Sequence, residues 1–194
     1  MKLYILLDTS GSMEGAKIAA LNDCMSNIII ELQEKAFNGM DIQLAVLSFA
    51  REVQWMHEDL MNVLDFSWKE LKAGGMTSLG KACLLLSSKL KDCTVNNDQQ
   101  VVVLLSDGCP TDDYEEGIAE LHKNQNFNEA EKFAIALGDN ADIKSLTRFV
   151  DDATNIYLEN NADNLLDTLN IILGTTDHPT RLTEVAVDNS DDWD

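Results

Sequence analysis

Basic residues are scarce in this chain: 14 Lys and Arg stand against 34 Asp and Glu, a formal net charge of −20. Nucleic acids and anionic membranes are both recognised through a basic footprint, so neither is an expected partner. Cations and basic surfaces suit such a chain better, although much of the acid is ordinarily a solvated face. Long apolar runs are also missing. No stretch reaches the roughly twenty residues that a membrane-spanning helix needs, and only Met1 and Lys2 precede the first apolar segment, so neither a span nor a secretory signal is expected. The expected location is the cytoplasm. Cysteine is limited to Cys24, Cys83, Cys93 and Cys109, which form no CxxC pair. That spacing reads as reduced thiols and disfavours both a disulfide framework and a zinc site. There is no Walker loop and no GxGxxG, which leaves nucleotide binding without support. Internal repeats and low-complexity tracts are absent as well.

The chain does contain enough for one core: 194 residues, 45% of them hydrophobic, fit one domain plus a tail. Leu3-Tyr4-Ile5-Leu6-Leu7 is apolar on both parities, as in a parallel strand covered on both faces. It stops at Asp8, followed by Ser10 and Ser12 around Thr9 and Gly11. Open α/β sheets bind ligands at the carboxyl ends of their strands, which is where this acid falls. A tight loop aims the carboxylate and both hydroxyls at one point, and Gly11 removes a Cβ from the turn. Mg²⁺ takes hard oxygen ligands, keeps waters and needs few carboxylates, so one acid with two hydroxyls suits it.

Helical spacing of Ile18, Leu21, Met25, Ile28 and Leu32 predicts a helix from Gly15 to about Phe37, ended by Asn38-Gly39. Ile42–Phe49 reads as a second buried strand. Glu52–Met56 follows too closely for a crossover helix and is expected as an antiparallel edge strand. Gly74-Gly75 marks a loop, in which Thr77 or Ser78 is positioned to cap a helix carrying Leu79, Ala82, Leu86 and Leu90. Gln99–Leu105 is another buried strand that ends at an acid, Asp107 in Ser106-Asp107-Gly108. If the two strands are neighbours, Asp8 and Asp107 face each other. Helices at about Tyr114–Lys123, Ile143–Val150 and Leu165–Leu173 and strands at Lys132–Leu137 and Asn155–Leu158 complete a doubly wound, largely parallel α/β sheet. Residues 177–194 hold six acids and one base, Arg181, and are expected to be flexible or weakly packed. Within them, 181–187 alternates enough to add to a sheet edge. The division is therefore a domain at 1–174 and an acidic tail at 175–194.

Asp8-x-Ser10-x-Ser12, Thr77 in a glycine-rich loop and Asp107 after a second buried strand together resemble the metal-ion-dependent adhesion site of von Willebrand factor A domains. The resemblance covers residues 1 to 174 or so. It implies a three-layer Rossmann-like fold: six strands in the order 3-2-1-4-5-6, one antiparallel edge strand, and the metal at the carboxyl end. It also implies that Ser10 and Ser12 bind the cation directly, Thr77 directly or through water, and Asp8 and Asp107 largely through water. Mostly neutral ligands leave the ion electron-poor, so it recruits a Glu or Asp carboxylate from a partner protein. Mg²⁺ is the expected cation, with Mn²⁺ or Ca²⁺ as alternatives. Within the family, the chain resembles the cytoplasmic bacterial TerY-like branch of tellurium-resistance clusters, which implies a stress-response setting with protein kinases and phosphatases as partners.

Two other readings compete with this non-enzymatic adaptor. Haloacid-dehalogenase-type phosphohydrolases also open with a strand ending in Asp, which would make Asp8 a nucleophile assisted by Mg²⁺. Their acid/base residue, however, lies two positions on, where this chain has Ser10, and a hydroxyl cannot play that part near neutral pH. The third reading is a scaffold whose metal site is silent and whose tail makes the contacts. Among nearby residues, Glu14, Asp112 and Asp113 read as surface charge, Met13 and Met76 as core or contact surface, and His57 as a solvated histidine beside an edge strand.

Overall fold

The computed structural model describes residues 1–91, 99–107, 109–160 and 162–174. Seven strands form one sheet: β1 (Lys2–Asp8), β2 (Gln43–Phe49), β3 (Val53–Trp55), β4 (Met61–Asn62), β5 (Gln100–Ser106), β6 (Glu131–Leu137) and β7 (Ile156–Glu159). Their order is β3-β2-β1-β5-β6-β7, with β4 also paired to β2. β1, β2, β5, β6 and β7 are mutually parallel; β3 and β4 run antiparallel to β2. The edge of the sheet is thus shared. β3 pairs with the Leu47–Phe49 end of β2, and β4 pairs with Gln43 and Leu44 at its start. The expected six strands become seven because the chain beyond Trp55 continues in the same direction and pairs a second time with β2, at its start. A two-residue strand is too short to leave an alternating pattern in the sequence. Without β4, the order is the 3-2-1-4-5-6 expected.

Among the described residues six helices cover the sheet: α1 (Ala16–Phe37), α2 (Leu79–Lys91), α3 (Tyr114–Leu121), α4 (Gln125–Glu129), α5 (Ile143–Val150) and α6 (Ala162–Ile172). The parity of β1 explains the layering. Leu3, Ile5 and Leu7 join a cluster with Leu21, Met25 and Ile28 of α1 and Leu165 and Leu169 of α6. Tyr4 and Leu6 join the opposite cluster, with Ala82 and Leu86 of α2, Ile118 of α3 and Leu146 of α5. A strand buried on both faces has no polar parity, and each of its side chains packs against one helical layer. The short α4 was not foreseen. Its N-cap, Asn124, accepts from the N–H of Asn126 at 3.0 Å and its amide donates to Ser87 O at 2.8 Å, a long-range anchor with no local pattern.

No helix among the described residues is long and apolar enough to cross a membrane. Cys24, Cys83 and Cys109 are free thiols. Cys93 and the acidic segment 175–194, with its expected flexibility and edge-adding stretch, lie outside the described residues.

Candidate metal centre

Three loops meet at the carboxyl end of β1. The first follows β1 itself, the second precedes α2, and the third follows β5, the parallel neighbour of β1. Backbone hydrogen bonds fasten the first two: Gly11 N–H to Gly75 O at 3.0 Å and Gly74 N–H to Thr9 O at 2.9 Å. A Cβ on Gly11 would come 3.3 Å from Gly75 O, so the contact is tight for any other residue. The second and third loops are joined through Thr77. Its N–H donates to Thr111 Oγ1 at 3.0 Å, and its carbonyl accepts from the Thr111 N–H at 2.9 Å.

Within this frame the side chains converge. The Ser10 N–H donates to Asp8 Oδ1 at 2.8 Å, while the Ser106 hydroxyl donates to Asp8 Oδ2 at 2.6 Å. A single 3₁₀ turn, Gly11–Met13, then sets Ser12 Oγ 2.9 Å from Ser10 Oγ. Met13 anchors that turn in the core, which resolves its two readings; Met76 is 51% exposed beside Thr77. Asp8, Ser10, Thr77 and Asp107 are all buried, and Ser12 is exposed.

The electrostatics favour a cation. Burial raises the pKa of the Asp8 carboxyl above its usual value; hydrogen bonds from Ser10 and Ser106 oppose this, and the nearby charge of Asp107 adds to it. Asp107 Oδ2 lies 3.6 Å from Lys17 Nζ. Asp107 Oδ1 is buried and has no hydrogen-bond partner among the described residues. A buried, unsatisfied carboxylate oxygen is costly in a native protein and points to an absent ion or water. Among the described residues no group of three or more His, Cys, Asp and Glu side chains is placed to hold a metal. A site here depends on two carboxylates and three hydroxyls, a set for a hard cation.

The five residues singled out by the sequence therefore lie in adjoining loops. Asp8, Ser10 and Ser12 are linked by the Asp8–Ser10 and Ser10–Ser12 hydrogen bonds, Asp107 is coupled to Asp8 by charge, and Thr77 is held through Thr111. Several supporting residues were missed. Ser106 stood in the quoted Ser-Asp-Gly, but only strand pairing shows that it holds Asp8. Thr111, in the loop that carries Asp107, and Lys17 of α1 leave no local signal. Asp112, read as surface charge, accepts from the N–H groups of Gly80 and Lys81 at 3.0 and 2.9 Å. It caps α2 from across the site, the role expected of Thr77 or Ser78. Asp113 likewise caps α3 through the Glu116 N–H at 3.1 Å. His57 is half-buried rather than fully solvated: its ring packs edge-on to Phe66 with centroids 4.9 Å apart. Cys109, exposed beside Asp107, has its thiol pushed up by partial burial and by Asp107 and Asp142, so it stays protonated.

The family model of the von Willebrand factor type A domain matches residues 2–170. The chain belongs to this family. No curated protein sequence matches it closely. Among solved structures, the pilus adhesin SpaC of Lactobacillus rhamnosus GG superposes with a TM-score of 0.71 at 13% identity, over 88% of this chain and 29% of that one. The ArnB paralog VWA2 of Sulfolobus acidocaldarius gives 0.65 at 21% identity, over 87% and 44%. Proximal thread matrix protein 1 of the mussel byssus, with zinc in its adhesion-site motif, gives 0.64 at 15%, over 90% and 47%. The chain thus spans less than half of each of these structures, and at such identities the likeness is one of fold. Von Willebrand factor type A domains are interaction modules that bind protein partners through a divalent cation.

Proposed function

We propose that this von Willebrand factor type A domain is an adaptor that holds Mg²⁺ at Asp8, Ser10, Ser12, Thr77 and Asp107 and through it engages a Glu or Asp side chain of a partner protein. Mn²⁺ and Ca²⁺ are the alternative ions. The observation that carries this reading is the orphaned Asp107 Oδ1, buried close to Asp8 and the paired Ser10 and Ser12 hydroxyls. When bound, the cation supplies a Lewis-acidic position for the incoming carboxylate. The chain's own residues prepare it. Ser106 and the Ser10 amide hold Asp8 with both oxygens engaged, and the 3₁₀ turn keeps the serine hydroxyls together. Cation and partner carboxylate then share one coordination sphere, so each tightens the other's binding.

This arrangement also disfavours the phosphohydrolase reading. Asp8 is fully buried and each of its oxygens accepts a hydrogen bond, so the carboxylate is held inside the protein rather than exposed as a nucleophile. The adaptor reading extends, by resemblance of sequence alone, to a bacterial cytoplasmic stress or tellurite-resistance system with kinase or phosphatase partners. It is tested by affinity capture from source-cell lysate with wild type and a Ser10→Ala/Asp107→Ala variant, each in Mg²⁺ and in EDTA. A protein retained only by wild type in Mg²⁺ is the expected result. Equal recovery in all four conditions would mean that the cation plays no part in binding.

A further inference from the structure

We propose that Lys17 is a resident stand-in for the metal. Its ammonium partly neutralises Asp107 while no divalent cation is bound, and its repulsion of an arriving cation sets the affinity of the site. This inference rests on the metal reading above.

The position of Lys17 needs an explanation. It occupies the first turn of α1, where the helix dipole is positive and a cation is disfavoured. No acid sits in that turn, and the Gly15 N-cap offers no side chain to offset the charge. What favours the ammonium lies off the helix. Lys17 Nζ is 3.6 Å from Asp107 Oδ2, and the Asp107 side chain is only 8% exposed. The lysine stem reaches there over Gly138, which follows the end of β6. A Cβ at that position would lie 3.1 Å from Lys17 Cε and 3.2 Å from Nζ. A glycine with φ of 93° thus leaves the slot in which the side chain rests.

The pair is also built to come apart. At 3.6 Å it is a charge contact beyond ordinary hydrogen-bond length, and 36% of the Lys17 side chain is exposed, so the ammonium has a path back to water. A lysine ammonium on its flexible stem suits this better than a planar guanidinium fork would. Among the described residues no other ion pair involves Asp8 or Asp107. Lys17 is therefore the cation that the two facing acids have of their own. Glu14, whose Oε1 lies 3.9 Å from a Cβ built on Gly74, is a further acid at the rim.

A unit charge and a divalent ion about 6 Å apart in a water-like medium repel with an energy that corresponds to roughly a tenfold change in affinity. Removing the ammonium should tighten the site by about that factor. The same change should weaken the metal-free protein, because Asp107 loses its partner.

The test is Mn²⁺ binding to the full chain, read from the electron paramagnetic resonance of the free ion, together with Tm in EDTA. Wild type, Lys17→Met, Lys17→Gln and Lys17→Arg are compared. Both neutral variants should bind Mn²⁺ about tenfold tighter and melt lower in EDTA, whereas Lys17→Arg should stay within about twofold of wild type. Unchanged or weaker Mn²⁺ binding in folded Lys17→Met and Lys17→Gln would overturn the stand-in role while leaving the metal site intact. Failure of wild type to bind Mn²⁺ would overturn the metal reading, and this inference with it.

Discussion

Gly117→Ala should destabilise the domain by about 3 kcal/mol or more, although helix propensity alone would make it stabilising by about 1 kcal/mol. Gly117 of α3 and Gly80 of α2 sit where the two helices cross. A Cβ on Gly117 would lie 2.2 Å from Gly80 O and 2.6 Å from Gly80 Cα. On the other side, a Cβ on Gly80 would lie 2.4 Å from Asp113 O. All of these are backbone atoms, so no rotamer change relieves the overlap and the helices must separate. Separation would also reach the candidate metal centre, because Asp112 caps the start of α2 from the loop that carries Asp107. Urea denaturation decides the sign: a lower midpoint with unchanged m-value is expected, and a higher midpoint would show that the crossing has slack.

The second large effect concerns charge. In EDTA near neutral pH, Asp8→Asn should be more stable than wild type, and in saturating Mg²⁺ the order should reverse. Burial raises the folded-state pKa of Asp8 above its usual value of 3.8, so the folded state holds that proton more tightly than the unfolded chain does. The stability this brings is present below 3.8 and is lost as pH rises through the folded-state pKa. Above that point wild type carries a buried, disfavoured carboxylate, whereas asparagine does not titrate. Asn Oδ1 can still accept from the Ser10 N–H, and its amide can donate to Ser106 Oγ, a hydroxyl able to accept. The advantage of Asp8→Asn in EDTA should therefore shrink as pH falls toward 3.8. Mg²⁺ changes the comparison by mass action. At a hundred times Kd it stabilises whichever protein binds it by about 2.7 kcal/mol, and that protein is wild type. Melting curves across this pH range, with and without Mg²⁺, measure both halves; a wild type more stable than Asp8→Asn in EDTA at neutral pH would contradict the charge argument.

The residues that the sequence made legible are those whose signal is local. Leu3–Leu7 and Val101–Leu105 are apolar on both parities, so two central parallel strands could be read directly, and the acids at their ends could be placed at the carboxyl edge. Ser10 and Ser12 were legible because the loop after β1 is short. The remainder depends on distance in sequence. Ser106 holds Asp8 only because β5 lies beside β1, and Thr111 matters only because its loop meets the turn at Thr77. Asp112 read as surface charge because the amide groups it caps lie some thirty residues earlier in the chain. Lys17 carried no signal in the sequence, since its tie to Asp107 bridges ninety positions. The strand β4 escaped because two residues carry no period.

Calorimetric titration of Mg²⁺ into the chelator-treated full chain, beside a Ser10→Ala/Ser12→Ala variant, tests the central claim most directly. One site per chain in wild type, weakened at least tenfold without the two hydroxyls, is the result that the buried Asp107 oxygen and the paired serines lead to. Identical isotherms for the two proteins, or no heat from either, would contradict it.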